Sequence, residues 1–130
     1  MRILIAEDDF ASRKFLSKSL EKYGDVDITV DGQEAVDAFT YALEEKNYYD
    51  LVCLDMMMPK MDGIDALKLI RSLEEEKKVA PDRRTHIIMT TAINDTNTVN
   101  AAFAYGCEGY AAKPIDMQTF IKVMEKMHLI

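Results

Sequence analysis

Residues 51–63, LVCLDMMMPKMDG, join a short apolar run to a turn that contains proline and glycine. The run LVCL has the composition of a buried strand, and it ends on a carboxylate, Asp55. A carboxylate at the tip of a strand either caps the turn that follows or is a functional group at a site. The side chains that the rest of the chain brings to the same place distinguish these two interpretations.

The composition indicates one soluble globular domain that occupies residues 1–130. The chain is 48% hydrophobic and 30% charged, and its length suits a single core. No apolar run approaches the roughly 20 residues that span a bilayer, and acidic residues follow the N-terminal MRILIA too closely for a signal peptide. Cys53 and Cys107 are too few and too distant for a disulfide framework or a zinc site, and Cys53 is predicted to be a small core residue. We therefore predict a cytoplasmic protein with no membrane partner.

The net charge of −7 argues against direct binding of nucleic acid. The basic residues form short pairs beside acidic neighbours: Arg13/Lys14, Lys77/Lys78 and Arg83/Arg84. An acidic chain can still bind a cation where its carboxylates converge, and the order of strands and helices indicates whether they do.

Hydrophobic periodicity predicts five strands and five helices in strict alternation. The predicted strands are residues 2–6, 26–30, 51–55, 86–91 and 109–112. The predicted helices are residues 10–23, 33–46, 64–73, 94–105 and 115–128. The charged run EEEKK at 74–78 is predicted to be a solvated helix end, and the loop at 74–85 is longer than such connections usually are. Strict alternation implies right-handed crossovers and a parallel sheet with helices on both faces.

Polar residues follow the predicted central strands at the point where each strand ends. These residues are Glu7, Asp8 and Asp9 after the first strand, Asp55 on the third, Thr91 on the fourth, and Lys113 with Pro114 after the fifth. The carboxyl ends of parallel strands meet at one edge of the sheet, so this pattern predicts a site. Taken singly, Asp8 or Asp9 would be a helix cap, and Asp62 with Gly63 is predicted to serve as turn and cap.

The residue types at this edge favour metal-assisted phosphoryl transfer. Converging carboxylates repel one another unless a cation neutralises them, and an all-oxygen ligand set suits Mg²⁺. Asp55 could act as a nucleophile that forms an acyl phosphate. Lys113 would supply a point charge, and the Thr91 hydroxyl could donate to a phosphoryl oxygen.

Four motifs carry a resemblance to a known family. AEDD at 6–9, LDMMMPKMDG at 54–63, TTA at 90–92 and GYAAKPI at 109–115 occur in an order that resembles the receiver domain of two-component response regulators. The resemblance covers essentially the whole chain. It implies a single doubly wound, flavodoxin-like α/β domain with a five-stranded parallel sheet in the order 2-1-3-4-5 and five helices.

The resemblance also implies roles for individual residues. Asp55 is expected to be the phosphoacceptor, and Mg²⁺ is expected to bind Asp8 and Asp55 directly. Glu7 is expected to act on the metal through water, and Met57 through its backbone carbonyl. Arg13 lies five residues after Asp8, as in the family, and this spacing favours Glu7 and Asp8 as the acid pair.

For the hydroxyl of the fourth strand, the family pattern favours Thr91 over Thr90, because Thr91 precedes a small residue and lies at the strand tip. Thr90 would face the other side of the sheet by strand alternation. Lys113 is the family's site lysine. Tyr110 matches the aromatic residue that changes rotamer when the threonine moves. Compared with the family, the chain has extra residues that we assign to the loop at 74–85, and a smaller excess at 44–49.

The resulting functional prediction is a phosphoacceptor switch. It would take a phosphoryl group from a phosphohistidine on a sensor histidine kinase or histidine phosphotransfer protein, and it would control an unidentified protein through its fourth helix, fifth strand and fifth helix. It would catalyse only its own phosphorylation and dephosphorylation. An aspartyl-phosphate phosphohydrolase would have a second carboxylate where Met57 stands, and a flavin or nucleotide binder would have a glycine-rich phosphate loop. A stand-alone receiver and one excised from a longer chain are both compatible with the sequence.

Overall fold

The computed structural model describes residues 1–92 and 95–130 and contains five strands, each followed by a helix. The strands are β1 (Arg2–Ala6), β2 (Asp25–Thr29), β3 (Leu51–Asp55), β4 (His86–Thr91) and β5 (Gly109–Ala112). The helices are α1 (Phe10–Leu20), α2 (Gly32–Glu44), α3 (Gly63–Glu76), α4 (Thr96–Ala104) and α5 (Met117–Lys126). Single 3₁₀ turns lie at Glu21–Tyr23 and Pro81–Arg83.

The strands form one parallel sheet in the order β2-β1-β3-β4-β5, which confirms the predicted fold class. The order reverses between β1 and β3, where Ala6 lies opposite Leu54. The next pair along β3 is Asp55 with Thr90 of β4. The crevice at a reversal of strand order is where open α/β sheets bind ligands, so the topology places Asp55 at the expected position.

Alternate side chains of each strand enter two separate cores. On one face, Val52 and Leu54 pack with side chains of α2 and α3, including Phe39 and Leu67. The other face packs against α1 and α5 and contains Ile3, Ile5, Leu16, Leu51, Cys53, Ile88, Phe120 and Met124. Cys53 is therefore the core residue that the sequence predicted, and burial raises the pKa of its thiol. Because both faces are covered, the central strands are apolar along their length.

Each of the five helices begins after an aspartate whose side chain accepts a hydrogen bond from a backbone N–H of the first turn. The capping residues are Asp9, Asp31, Asp62, Asp95 and Asp116. Such a cap contributes about 1 kcal/mol to helix stability. Asp62 is thus a cap, as its sequence context suggests, and the cap of α1 is Asp9, which leaves the Asp8 carboxylate for another role.

The predicted bounds of β1, β3, β4 and β5 agree with the structure, and β2 lies one residue earlier than predicted. The first helix was predicted to extend over residues 10–23, but α1 ends at Leu20 and Glu21–Tyr23 form a 3₁₀ turn. The predicted start of the fourth helix, Asn94, lies outside the described residues. Within the described residues, no helix is long and apolar enough to cross a bilayer.

The prediction of a solvated helix end at EEEKK is wrong for Glu74. This side chain is 1% exposed, pairs with Arg71 at 2.7 Å and accepts a hydrogen bond from the Thr85 N–H at 2.7 Å. Its helical spacing from Leu67 and Ile70 places it on the buried face, and α3 continues to Glu76. The loop that follows α3 folds back over the Glu74 side chain and buries its carboxylate.

Candidate functional site

Three carboxylates meet at the carboxyl edge of the sheet. Glu7 follows β1, Asp55 ends β3, and both are almost fully buried, whereas Asp8 is exposed. One oxygen from each of the three lies within 4.8 Å of the others. This cluster contains only oxygen donors, which is the donor set that Mg²⁺ prefers.

Lys113 completes the cluster from the end of β5. Its Nζ forms an ion pair with Oε1 of Glu7 and lies 3.1 Å from Oδ2 of Asp55. The Lys113 N–H donates to the Thr91 carbonyl at 2.8 Å, which continues the β4–β5 ladder by one residue and fixes the base of the side chain. The structure therefore brings together four of the residues that the sequence assigned to the site: Glu7, Asp8, Asp55 and Lys113.

The two buried acids compete for one lysine, and the ionisation of Asp55 reflects this. Burial raises the pKa of Asp55 to about 7, and the hydrogen bond and negative charge of Glu7 act in the same direction. Lys113 opposes the rise without cancelling it. For Lys113 itself, burial acts to lower the pKa, but the contacts with Glu7 and Asp55 outweigh it and the pKa is raised. An added cation would stabilise the ionised form of Asp55.

The loop that carries Glu7 and Asp8 is held by hydrogen bonds to its backbone. Arg13 donates to the carbonyls of Glu7 and Asp8 at 3.0 and 3.3 Å, and Oε2 of Glu7 accepts from the Asp9 N–H at 3.1 Å. Oε1 of Glu7 is buried and has no aligned hydrogen-bond donor among the described residues; its close contact with Nζ of Lys113 is an ion pair.

The turn after Asp55 is built around a close backbone contact. Oδ1 of Asp55 accepts from the Met57 N–H at 3.3 Å, and the Met57 side chain is 64% exposed. The Gly63 N–H donates to the Met56 carbonyl at 2.9 Å, and a Cβ on Gly63 would lie 2.3 Å from the Asp55 carbonyl oxygen. Gly63 therefore allows α3 to start directly against the strand that carries Asp55. Sequence reasoning identified Gly63 only as part of a turn, because the motif DG does not indicate what approaches it.

The two threonines at the end of β4 occupy different positions. Thr90 lies opposite Asp55 in the β3–β4 register, and its Oγ1 is 3.5 Å from the Leu54 carbonyl oxygen. Thr91 lies at the strand tip opposite Ala112 and is 1% exposed.

Tyr110 of β5 is half-buried and borders a cleft of about 420 Å³ that Phe103 of α4 and Val123 of α5 also line.

The chain matches the family model of the response regulator receiver domain over residues 3–125. It belongs to this family. The chain is thus a receiver domain of two-component systems.

Individual relatives agree with this assignment. The chain is 35% identical over 122 residues to the response regulator ArlR of Staphylococcus aureus, an alignment that covers 92% of this chain and 49% of that regulator. The chain spans about half or less of the length of the curated relatives that it matches.

Two solved structures have the same fold. The receiver domain of the histidine kinase CKI1 from Arabidopsis thaliana, complexed with Mg²⁺, is 26% identical with a TM-score of 0.85, covering 97% of this chain and 90% of that one. The receiver domain of Ssk1 from Saccharomyces cerevisiae, crystallised with the histidine phosphotransfer protein Ypd1, is 26% identical with a TM-score of 0.81, covering 100% of this chain and 92% of that one.

Proposed function

We propose that this receiver domain is a signalling switch that accepts a phosphoryl group on Asp55 in the presence of Mg²⁺. The observation that carries the proposal is the convergence of Asp55, Glu7, Asp8 and Lys113 at one sheet edge, with carboxylate oxygens within 4.8 Å of one another. Buried acids that share one lysine need a further cation when both are ionised.

Mg²⁺ would be held by Asp8, Asp55 and the backbone carbonyl of Met57, with Glu7 acting through a metal-bound water. The all-oxygen donor set supports this assignment. When bound, the ion would neutralise the negative charge of the nucleophile and the phosphoryl oxygens.

The reaction needs a deprotonated Asp55. A carboxylate oxygen of Asp55 attacks the phosphorus of a phosphohistidine, a P–O bond forms, and the P–N bond breaks with its electron pair passing to the imidazole. Lys113, 3.1 Å from Asp55, would contact a phosphoryl oxygen as a point charge. The hydroxyl of Thr91 would donate to another phosphoryl oxygen.

The donor would be a sensor histidine kinase or a histidine phosphotransfer protein. The likeness to the Ssk1 receiver, which was crystallised with Ypd1, supports this class of partner. The chain would catalyse only its own phosphorylation and dephosphorylation. Met57, two residues after the nucleophile, has no acid that could assist hydrolysis, so we expect a slow loss of the phosphoryl group.

The output would pass through the face that α4, β5 and α5 form, and a downstream protein would bind there. The ring of Tyr110 would fill the space beneath α4 that opens when Thr91 shifts toward the phosphoryl group. We place the protein in the cytoplasm, and its two free, buried cysteines suit a reducing compartment.

Binding of Mg²⁺ and beryllofluoride, a phosphoryl mimic, tests the proposal. Isothermal titration should detect Mg²⁺ binding to the wild type and its loss in Asp8→Ala and Asp55→Asn. Beryllofluoride should bind only in the presence of Mg²⁺ and only with Asp55 intact. Unchanged binding in both variants would place the metal elsewhere and contradict the proposal.

A further inference from the structure

The loop between α3 and β4 carries four exposed cations. Residues 77–85 contain four cations and one acid in a chain whose net charge is −7, and exposed Glu75 and Glu76 precede them at the end of α3. The cations are Lys77, Lys78, Arg83 and Arg84, and all four are exposed. Both pairs lie on the one connection between α3 and β4.

The backbone of this loop is fixed by hydrogen bonds and by two buried side chains. Val79 and Thr85 are buried, and their N–H groups donate to the backbone carbonyl and the side chain of Glu74 at 2.9 and 2.7 Å. The Arg83 N–H donates to the Ala80 carbonyl at 2.8 Å. A fixed backbone lowers the conformational entropy that a ligand must remove on binding.

The side chains of these four cations differ from Arg71 in their contacts. Among residues 1–92 and 95–130, none of them forms an ion pair, whereas Arg71 beside them pairs with both Glu74 and Glu108. Arg83 stacks over the Tyr48 ring at 5.1 Å, and Arg84 donates from Nε to the Val79 carbonyl at 3.3 Å. Each guanidinium retains donors in the fork geometry that matches a carboxylate.

We propose that residues 77–85, together with Tyr48, form a docking surface for an acidic segment of a partner protein. Unpaired arginines and lysines on a fixed backbone complement the side chains of glutamate and aspartate. A protein segment fits better than nucleic acid, because a long polyanion would also meet the acidic remainder of the domain, whereas a short acidic segment contacts only the loop.

This surface lies at the amino end of the strands, whereas Asp55 lies at their carboxyl end. Thr85 immediately precedes β4, and Asp55 pairs with Thr90, five residues further along that strand. At about 3.3 Å per residue the two positions are separated by roughly 16 Å. A partner bound at residues 77–85 would leave Asp55 accessible, so docking should not depend on phosphorylation.

A titration of ¹⁵N-labelled protein with a short poly-glutamate peptide tests the inference. We expect amide shifts centred on residues 77–85 and Tyr48, and weaker binding when salt is raised. Lys77→Gln/Lys78→Gln and Arg83→Gln/Arg84→Gln should each weaken binding about fivefold. The matched control Lys14→Gln/Lys18→Gln removes two exposed cations from α1 and should leave the affinity within about twofold.

Asp55→Asn should bind the peptide as the wild type does, which separates this surface from the phosphoacceptor site. The inference is overturned if the shifts centre on α1, if the control double variant loses as much affinity as the loop variants, or if single-stranded DNA of the same charge binds more tightly than the peptide. The amide spectra and melting temperatures of the variants identify any loss of binding that results from unfolding.

Discussion

Nζ of Lys113 lies 3.1 Å from Oδ2 of Asp55 and also pairs with the buried carboxylate of Glu7. One cation therefore serves two buried acids, and the metal-free site carries excess negative charge when both are ionised. Burial and the neighbouring Glu7 raise the pKa of Asp55, and the excess negative charge makes the site suitable for a divalent ion.

Asp55→Asn is expected to stabilise the metal-free protein above pH 7. The pKa of Asp55 rises from 3.8 to about 7 in the folded state, so the folded protein retains a proton that the unfolded chain releases. Stability from this group is complete below pH 3.8 and is lost as the pH rises through about 7. At pH 8 the variant should gain on the order of 2 kcal/mol.

Thermal melts between pH 4 and pH 8 in the presence of a chelator measure this effect. The gain should vanish near pH 4, and saturating Mg²⁺ should stabilise the wild type but not the variant. Asp37→Asn, at an exposed position of α2, should show no such pH dependence. A variant that is less stable than the wild type at pH 8 without metal would contradict the electrostatic account of the site.

Glu74→Gln is expected to destabilise the fold, whereas Glu75→Gln is expected to have little effect. Glu74 is 1% exposed and links Arg71 to the Thr85 N–H, so the substitution leaves Arg71 without a buried counter-ion. We expect a loss of about 2 kcal/mol in the free energy of unfolding, measured by urea denaturation. Glu75→Gln, at an exposed position, should change it by less than about 0.5 kcal/mol. Equal effects of the two substitutions would show that Glu74 is not an internal anchor.

Thr91→Ala is expected to separate phosphoryl acceptance from signal output. The variant retains Asp55, Lys113 and the acid cluster, so it should still bind beryllofluoride with Mg²⁺. Without the hydroxyl, the ligand should no longer bias the position of β4 relative to Tyr110. Amide and ring chemical shifts of Tyr110 and α4 report this, and a response as large as that of the wild type would mean that the coupling runs through other residues.

The sequence predicted which side chains meet at the carboxyl ends of the strands, because each central strand has an unambiguous end. Asp55 ends an apolar run and Lys113 follows a short one, so their convergence depended only on a parallel sheet. The burial of Glu74 was not predicted, since a charge run resembles a solvated face until the following loop is placed. The contact of Gly63 with the Asp55 carbonyl was also missed, because close approach of two backbone segments depends on tertiary packing and not on local pattern.

Site mapping after incubation with a small phosphodonor tests the central claim most directly. The protein is incubated with acetyl phosphate and Mg²⁺, and the modified residue is located by mass spectrometry of peptides prepared under acidic conditions. The proposed function predicts one acid-stable, base-labile phosphoryl group on Asp55, which is absent without Mg²⁺ and absent in Asp55→Asn. Modification found mainly on serine or threonine, or equal labelling of Asp55→Asn, would contradict it.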